Sequence, residues 1–205
     1  MSGPPPPMPA VTWFALPFGG GVVVVATVLA LRGRSRATSL WWVALAGVGQ
    51  AILALGAAAR DPVGDGGRAA ALQLLTVAMA MVLSGLCSPP TGPEEPGPSS
   101  LSLFGRCLAW ASLVGLPATV GFHSKVVLVR CFLDLDWAGL AVLVLLASWA
   151  AMWPALGALR PPFPERLRGV RAGAAILLIA VVLVLGLYPH WAIVAADWLA
   201  RVAFF

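Results

Sequence analysis

The stretch whose reading decides the fold is Trp110-Ala-Ser-Leu-Val-Gly-Leu-Pro-Ala-Thr-Val-Gly-Phe-His-Ser-Lys125, followed by Val126-Val-Leu-Val129. It is an apolar segment interrupted by Gly115, Pro117 and Gly121, then by a lysine with no acid beside it. Proline removes a backbone donor and its ring collides with the preceding turn, while glycine frees the chain to redirect. A helix crossing a bilayer can break only where the freed backbone groups face protein or water, because lipid offers no hydrogen bonds. A lysine just past such a break is costly at membrane depth and marks a functional position by default. Transporters place discontinuous helices at mid-membrane ion sites in this way. The plainer alternative for Lys125 is a side chain that snorkels to the interface along its four-carbon stem.

Working outward, composition sets the class. The 205 residues are 60% hydrophobic and 10% charged. Soluble domains carry roughly 25% charged residues, so this is a membrane protein whose first partner is the lipid bilayer. The net charge of +5 does not indicate nucleic-acid binding, because the arginines cluster in gaps between apolar runs and form no basic face. Trp41, Trp42, Trp137, Trp191 and Trp198 fall near the ends of apolar runs, as interfacial anchors do. Cys87, Cys107 and Cys131 lie far apart with no metal or redox spacing, and read as small buried hydrophobes. No nucleotide-binding glycine loop or nucleophile–base pattern appears; Gly19-Gly-Gly21 opens a valine run inside a span. No active site and no site for a cofactor is read in these residues: none for NADH, flavin, an iron–sulfur cluster, quinone or a metal.

A bilayer crossing needs roughly 20 apolar residues, and six runs meet that rule. The fold class is therefore an all-α membrane protein of about six transmembrane helices. Residues 1–10 are a proline-rich, extended lead-in with no basic n-region, so no signal peptide is expected. Residues 11–87 hold spans at about 11–31, 39–59 and 69–86; residues 88–100 are a polar proline-rich loop. Residues 101–205 hold the rest, at about 101–133, 137–159 and 172–196. The fourth run is too long for one crossing, which agrees with a break at Gly115–Gly121. Pro154 is expected to kink the end of the fifth. Arg32, Arg34, Arg36, Arg106, Arg160, Arg166, Arg168 and Arg171 fall on one side, and Arg60, Arg68, Arg130 and Arg201 on the other. The positive-inside rule then places both termini outside. Small residues such as Gly47, Gly49, Ala54 and Gly56 suit close packing against another chain.

The same residues carry a family resemblance. Gly115-Leu-Pro-Ala-Thr-Val-Gly-Phe-His-Ser-Lys125 resembles the G-I-P-P-x-x-G-F-x-x-K segment of the antiporter-like membrane subunits of proton-pumping NADH:quinone oxidoreductase (respiratory complex I), subunit N above all. In that family, which extends to proton-conducting Mrp antiporters, the segment is a broken helix whose lysine belongs to the proton path. Further stretches are similar in the same order: Ser39–Gly49 to L-L-A-Y-S-S-I-A-H-V-G, Ala70–Val82 to the helix after it, Leu143–Ser148 to an L-L-N-S run, and Leu185–Pro189 to L-G-I-F-P. The resemblance implies the last six helices of a fourteen-helix subunit, that is, its second half, in a bacterial plasma membrane. It also implies other membrane subunits of a complex I-like assembly as partners, and a proton path through Lys125; His123 is a second candidate for that path on imidazole chemistry alone, since the family often has a non-titratable residue there. The chain departs from the pattern at several places. Ala118 replaces the second proline, Gly47 a histidine, Ala37-Thr38 a Lys-Arg pair and Ala147 an asparagine. The first half, with its glutamate–lysine pair, is absent. Two other readings stay open: a structural subunit that kept the fold and lost transport, and a subunit of a related hydrogenase or cation/proton antiporter.

The remaining polar residues take plain readings. His123 bonded to backbone or water is the alternative to a relay. Thr119 and Ser124 are placed to satisfy backbone freed by the break, and Ser112 and Ser148 to bridge helices. Asp134 and Asp136 read as solvated acids at a span end, and His190 as interfacial.

Overall fold

A computed structural model describes residues 9–33, 35–61, 65–87, 100–158 and 169–204. Most of the lead-in, the 88–100 loop apart from Ser100, and Arg34, Arg160, Arg166 and Arg168 lie outside the described residues. Those residues form nine helices: α1 (Ala10–Arg32), α2 (Arg36–Arg60), α3 (Gly66–Leu86), α4 (Ser100–Val114), α5 (Val120–Asp134), α6 (Ala138–Ala150), α7 (Met152–Ala158), α8 (Gly169–Leu187) and α9 (Pro189–Phe204). Five segments are long and apolar enough to cross a membrane: α1, Ala37–Arg60 of α2, α3, Ala138–Gly157 across α6 and α7, and α8. The α4–α5 pair supplies the sixth crossing in two pieces, so the protein is an all-α membrane protein with a discontinuous fourth span.

α3 occupies the centre, packed against α2, α4, α5, α8 and α9. α1 lies at the edge and pairs with α2 through small residues. Its inward face carries Thr12, Ala15, Gly19, Val23, Ala26 and Ala30 at helical spacing. A Cβ on Gly19 would sit 3.0 Å from the Gly49 carbonyl oxygen, and one on Gly49 would sit 2.9 Å from Val23. At that approach the Thr12 hydroxyl donates to the Gly56 carbonyl at 3.1 Å. The sequence reading gave these small residues to another chain. Instead Gly49 and Gly56 are consumed inside this one, and Gly47 faces Gln73 and Val77 of α3. Small residues permit close approach but do not specify the neighbour.

Prolines account for the other departures. The fifth span breaks at Ala151, three residues before Pro154, because a proline leaves the carbonyl one turn earlier without its donor. The sixth, expected at 172–196, is two helices. α8 ends at Leu187, Tyr188 makes a last bond to the Val184 carbonyl at 2.9 Å, and α9 restarts at Pro189. The residue before a proline is disfavoured in the α region, so the helix stops there although the sequence stays apolar. α9 packs against α3 and is tied to it by Arg68, which bonds Asp197 at 2.6 Å and Asp65 at 2.7 Å.

Buried apolar side chains form two clusters. One gathers the first half of α2, most of α3, α4, α8 and α9, with the first residue of α5, around Leu72, Leu83, Trp110 and Val120. The other gathers the second half of α2, the start of α3, and α5 and α6 around Leu53, Leu128, Phe132 and Val144. Polar side chains are found where the two meet.

Candidate ion-path site

The break itself is built by unusual backbone. α4 closes with the amides of Gly115 and Leu116 both donating to the Ala111 carbonyl at 2.9 Å. Gly115 has φ +85°, a left-handed conformation that glycine adopts at little cost. Ala118 has φ +66°. It stands where the resembled segment has proline, whose ring fixes φ near −65°. The backbone of this break is thus one the proline could not adopt. Thr119 then turns the chain into α5, its hydroxyl donating to the Leu116 carbonyl at 2.7 Å. The hydroxyl of Ser124 donates to the Gly121 carbonyl at 3.0 Å. Both hydroxyls bond backbone at the break, as the sequence reading expects. Gly121 is needed because a Cβ there would overlap the Ser112 carbonyl oxygen.

Lys125 lies one turn into α5 and is 8% exposed. Its stem runs past Gly115, where a Cβ would meet its Cδ and Cε at 2.5 and 2.6 Å. Gly115 therefore supplies both the turn and the space for the lysine. The Nζ donates to Oε1 of Gln50 on α2 at 3.3 Å. Next to it, the hydroxyl of Ser124 donates to Oε1 of Gln73 on α3 at 2.6 Å. Gln50 and Gln73 are 2% and 1% exposed, so this is an enclosed polar layer between the two apolar clusters. Among the described residues no carboxylate comes within ion-pairing distance of Lys125. Asp61, Asp65, Asp134 and Asp136 lie at helix ends, where Arg130 lies 3.7 Å from Asp134 in an exposed pair, and Asp197 of α9 pairs with Arg68.

His123 departs from Lys125. Its Nε2 donates to the Gly186 carbonyl of α8 at 2.6 Å, which fixes the tautomer with the proton on that nitrogen. No bond joins it to Lys125 among the described residues, so the geometry matches the backbone-bonded reading rather than a direct relay. Ser148 bonds its own helix at the Val144 carbonyl, 2.7 Å away, and Ser112 Oγ is buried with no partner among the described residues. Neither bridges helices as expected. His190 is exposed beside Trp191. No group of three or more histidines, cysteines and acids converges among the described residues.

The sequence reading missed Gln50 and Gln73. Their signal was available: they are the only two carboxamides in the chain, each inside an apolar span. Chemically, an amide oxygen accepts from an ammonium and, more weakly, from a neutral amine, so Gln50 can partner Lys125 in either form but holds the charged one better.

Fold and site together define a class: an all-α membrane helix bundle with a buried lysine beside the break in its fourth span. The chain is similar in structure to a chain of the Mrp complex from Dietzia sp. DQ12-45-1b, with a TM-score of 0.74 and 15% sequence identity. The likeness covers 93% of this chain and 47% of that one, so this chain spans about half its length. No protein-family model matches the sequence. No curated protein matches it either.

Proposed function

We propose that the chain is a membrane subunit of a complex I-like NADH:quinone oxidoreductase, contributing part of a proton path coupled to electron transport through Lys125. The observation that carries this is the Lys125 amine, enclosed at a helix break against a neutral amide, with no carboxylate within ion-pairing distance among the described residues. A buried ammonium without a counter-charge is expensive, and proteins keep one at membrane depth for a reason. The acid partner belongs to the other half of the fold, outside this sequence, as the coverage of 47% of the similar chain supports. The arginine-rich end faces the cytoplasm of a bacterial plasma membrane, with Ala10 and Phe204 toward the outside.

A second reading is favoured by the structural likeness itself: a subunit of an Mrp-like cation/proton antiporter. Both readings use Lys125 and differ in what drives it. Affinity purification from native membranes in mild detergent should recover other membrane subunits in fixed ratio. In vesicles of that assembly, proton uptake driven by quinone reduction supports the first reading. Proton release driven only by a sodium gradient supports the second. Recovery as a stable monomer that moves protons alone would overturn both.

A further inference from the structure

The sixth span is broken as well as the fourth, and the two breaks lie against each other. A Cβ on Gly186 would overlap the Ala118 carbonyl oxygen and stand 2.6 Å from Thr119 Cα. Depth follows from helix length. α4 and α5 have 15 residues each, about 22 Å apiece, so their junction lies near the middle of the bilayer. α9 reaches the first turn of α3 only at Asp197, which bonds Arg68 about 12 Å beyond Pro189. Tyr188–Trp191 is therefore deep in the hydrocarbon, not at the interface where the sequence reading put Trp191 and His190. Lipid does not suit this stretch. Pro189 has no N–H, so the Leu185 carbonyl loses its helical donor. The next carbonyl, that of Gly186, is the one His123 takes. Tyr188 and Trp191 are 61% and 59% exposed and lie one turn apart, with a phenol O–H and an indole N–H to place. His190 is exposed between them. Among the described residues none bonds a polar atom of these three side chains.

Resting on the reading that the chain works among other membrane subunits, we propose that this face docks a membrane-spanning helix of one of them. That helix presents a carboxamide or carboxylate oxygen to Tyr188 and Trp191 at mid-depth. Broken backbone and polar side chains at this depth stand against protein or a water-filled cavity, because hydrocarbon accepts no hydrogen bonds. Water is the worse fit of the two. The exposed residues flanking the break are apolar on both sides, Leu177 and Val184 before it and Val194 and Trp198 after it, so no polar route leads to either end. A helix fits where a loop does not, since the partner's own backbone must be satisfied at the same depth. An indole N–H can only donate, so the partner's group is an acceptor. The surface is separate from the lysine site: Lys125 turns to Gln50 on α2, and His123 turns to α8.

The test uses the full chain in native membranes with the photo-crosslinker p-benzoylphenylalanine in place of Val194. That position is one turn past Trp191 and 44% exposed, and the change leaves all three polar side chains intact. Irradiation should give a crosslink that mass spectrometry maps to a transmembrane segment of a different subunit, within one turn of an Asn, Gln, Asp or Glu. Tyr188→Phe combined with Trp191→Phe removes both donors and keeps aromatic rings. Crosslink yield should then fall roughly fivefold to tenfold at equal chain content, the loss expected for two interhelical hydrogen bonds. If the double variant loses helicity by circular dichroism, the mapped crosslink alone decides. A crosslink to lipid only, to a second copy of this chain, or to a segment without such a side chain overturns the proposal. So does an unchanged yield in the folded double variant. Reaction of Val194→Cys, in otherwise cysteine-free protein, with a membrane-impermeant maleimide also overturns it, by marking a water-lined face. Lys125→Met should leave the crosslink in place, so failure of the transport reading and failure of this one are told apart.

Discussion

Replacing Gly115 by alanine disturbs the lysine without touching its charge. The new Cβ would stand 2.5 Å from Lys125 Cδ and 2.6 Å from Cε. Ordinary carbon contacts lie at about 3.5–4.0 Å, so the stem has to move by about 1 Å. The Nζ is already 3.3 Å from Gln50, and that displacement carries it beyond bonding range. The lost bond costs about 1 kcal/mol. Holding alanine at φ +85° adds about 1–2 kcal/mol. The sum, about 2–3 kcal/mol, is below the 5–15 kcal/mol that typically holds a domain together, so the variant should fold. A thermal midpoint about 5–10 °C lower is expected for a chain of this size. The paired assay is proton uptake by the assembled complex in vesicles, where Gly115→Ala should fall well below wild type at equal subunit content. Gly173→Ala is the control, since a Cβ there meets nothing within 4 Å. A Gly115→Ala subunit with wild-type midpoint and wild-type uptake would refute the reasoning.

Other outcomes follow from the same geometry. Gly121→Ala places a Cβ on the backbone oxygen of Ser112, where no flexible side chain can yield, so the subunit should not accumulate in membranes by immunoblot. Arg68 and Asp197 join α3 to α9 at a partly exposed site, and a double-mutant cycle on thermal stability should give coupling of about 0.5–1 kcal/mol. Zero coupling would make the contact incidental. Single cysteines in cysteine-free protein should react with an outside reagent at Asp65 and Asp136 but not at Gly33, and the reverse pattern would invert the orientation.

Much of this was legible in the sequence because membranes impose coarse rules. Run length alone located the spans, and Gly115, Pro117 and Gly121 located the break to within a residue or two. What stayed hidden depended on neighbours. Gly49 and Gly56 announce a close approach, yet nothing in a glycine says whether α1 or another chain makes it. The apolar run past Pro189 read as one span because hydropathy outweighed a single proline; the backbone obeyed the proline. Ala118 was flagged as a departure, but its left-handed φ follows from the whole turn and not from alanine. At the site, Lys125 was readable by its cost. Gln50 and Gln73 stand out in the sequence as its only carboxamides, but their meeting with Lys125 and Ser124 does not, because it depends on which faces of α2 and α3 turn toward α5.

The central claim is that Lys125 handles protons. Lys125→Met keeps the long apolar stem and removes the amine, and Lys125→Arg keeps a charge that cannot be released, since guanidinium does not deprotonate in proteins. The direct measurement is proton uptake coupled to quinone reduction in vesicles of the assembled complex, with subunit content checked alongside. Both variants should assemble and both should lose uptake. Full uptake in Lys125→Met would contradict the claim and leave the lysine a snorkelling side chain in a structural subunit.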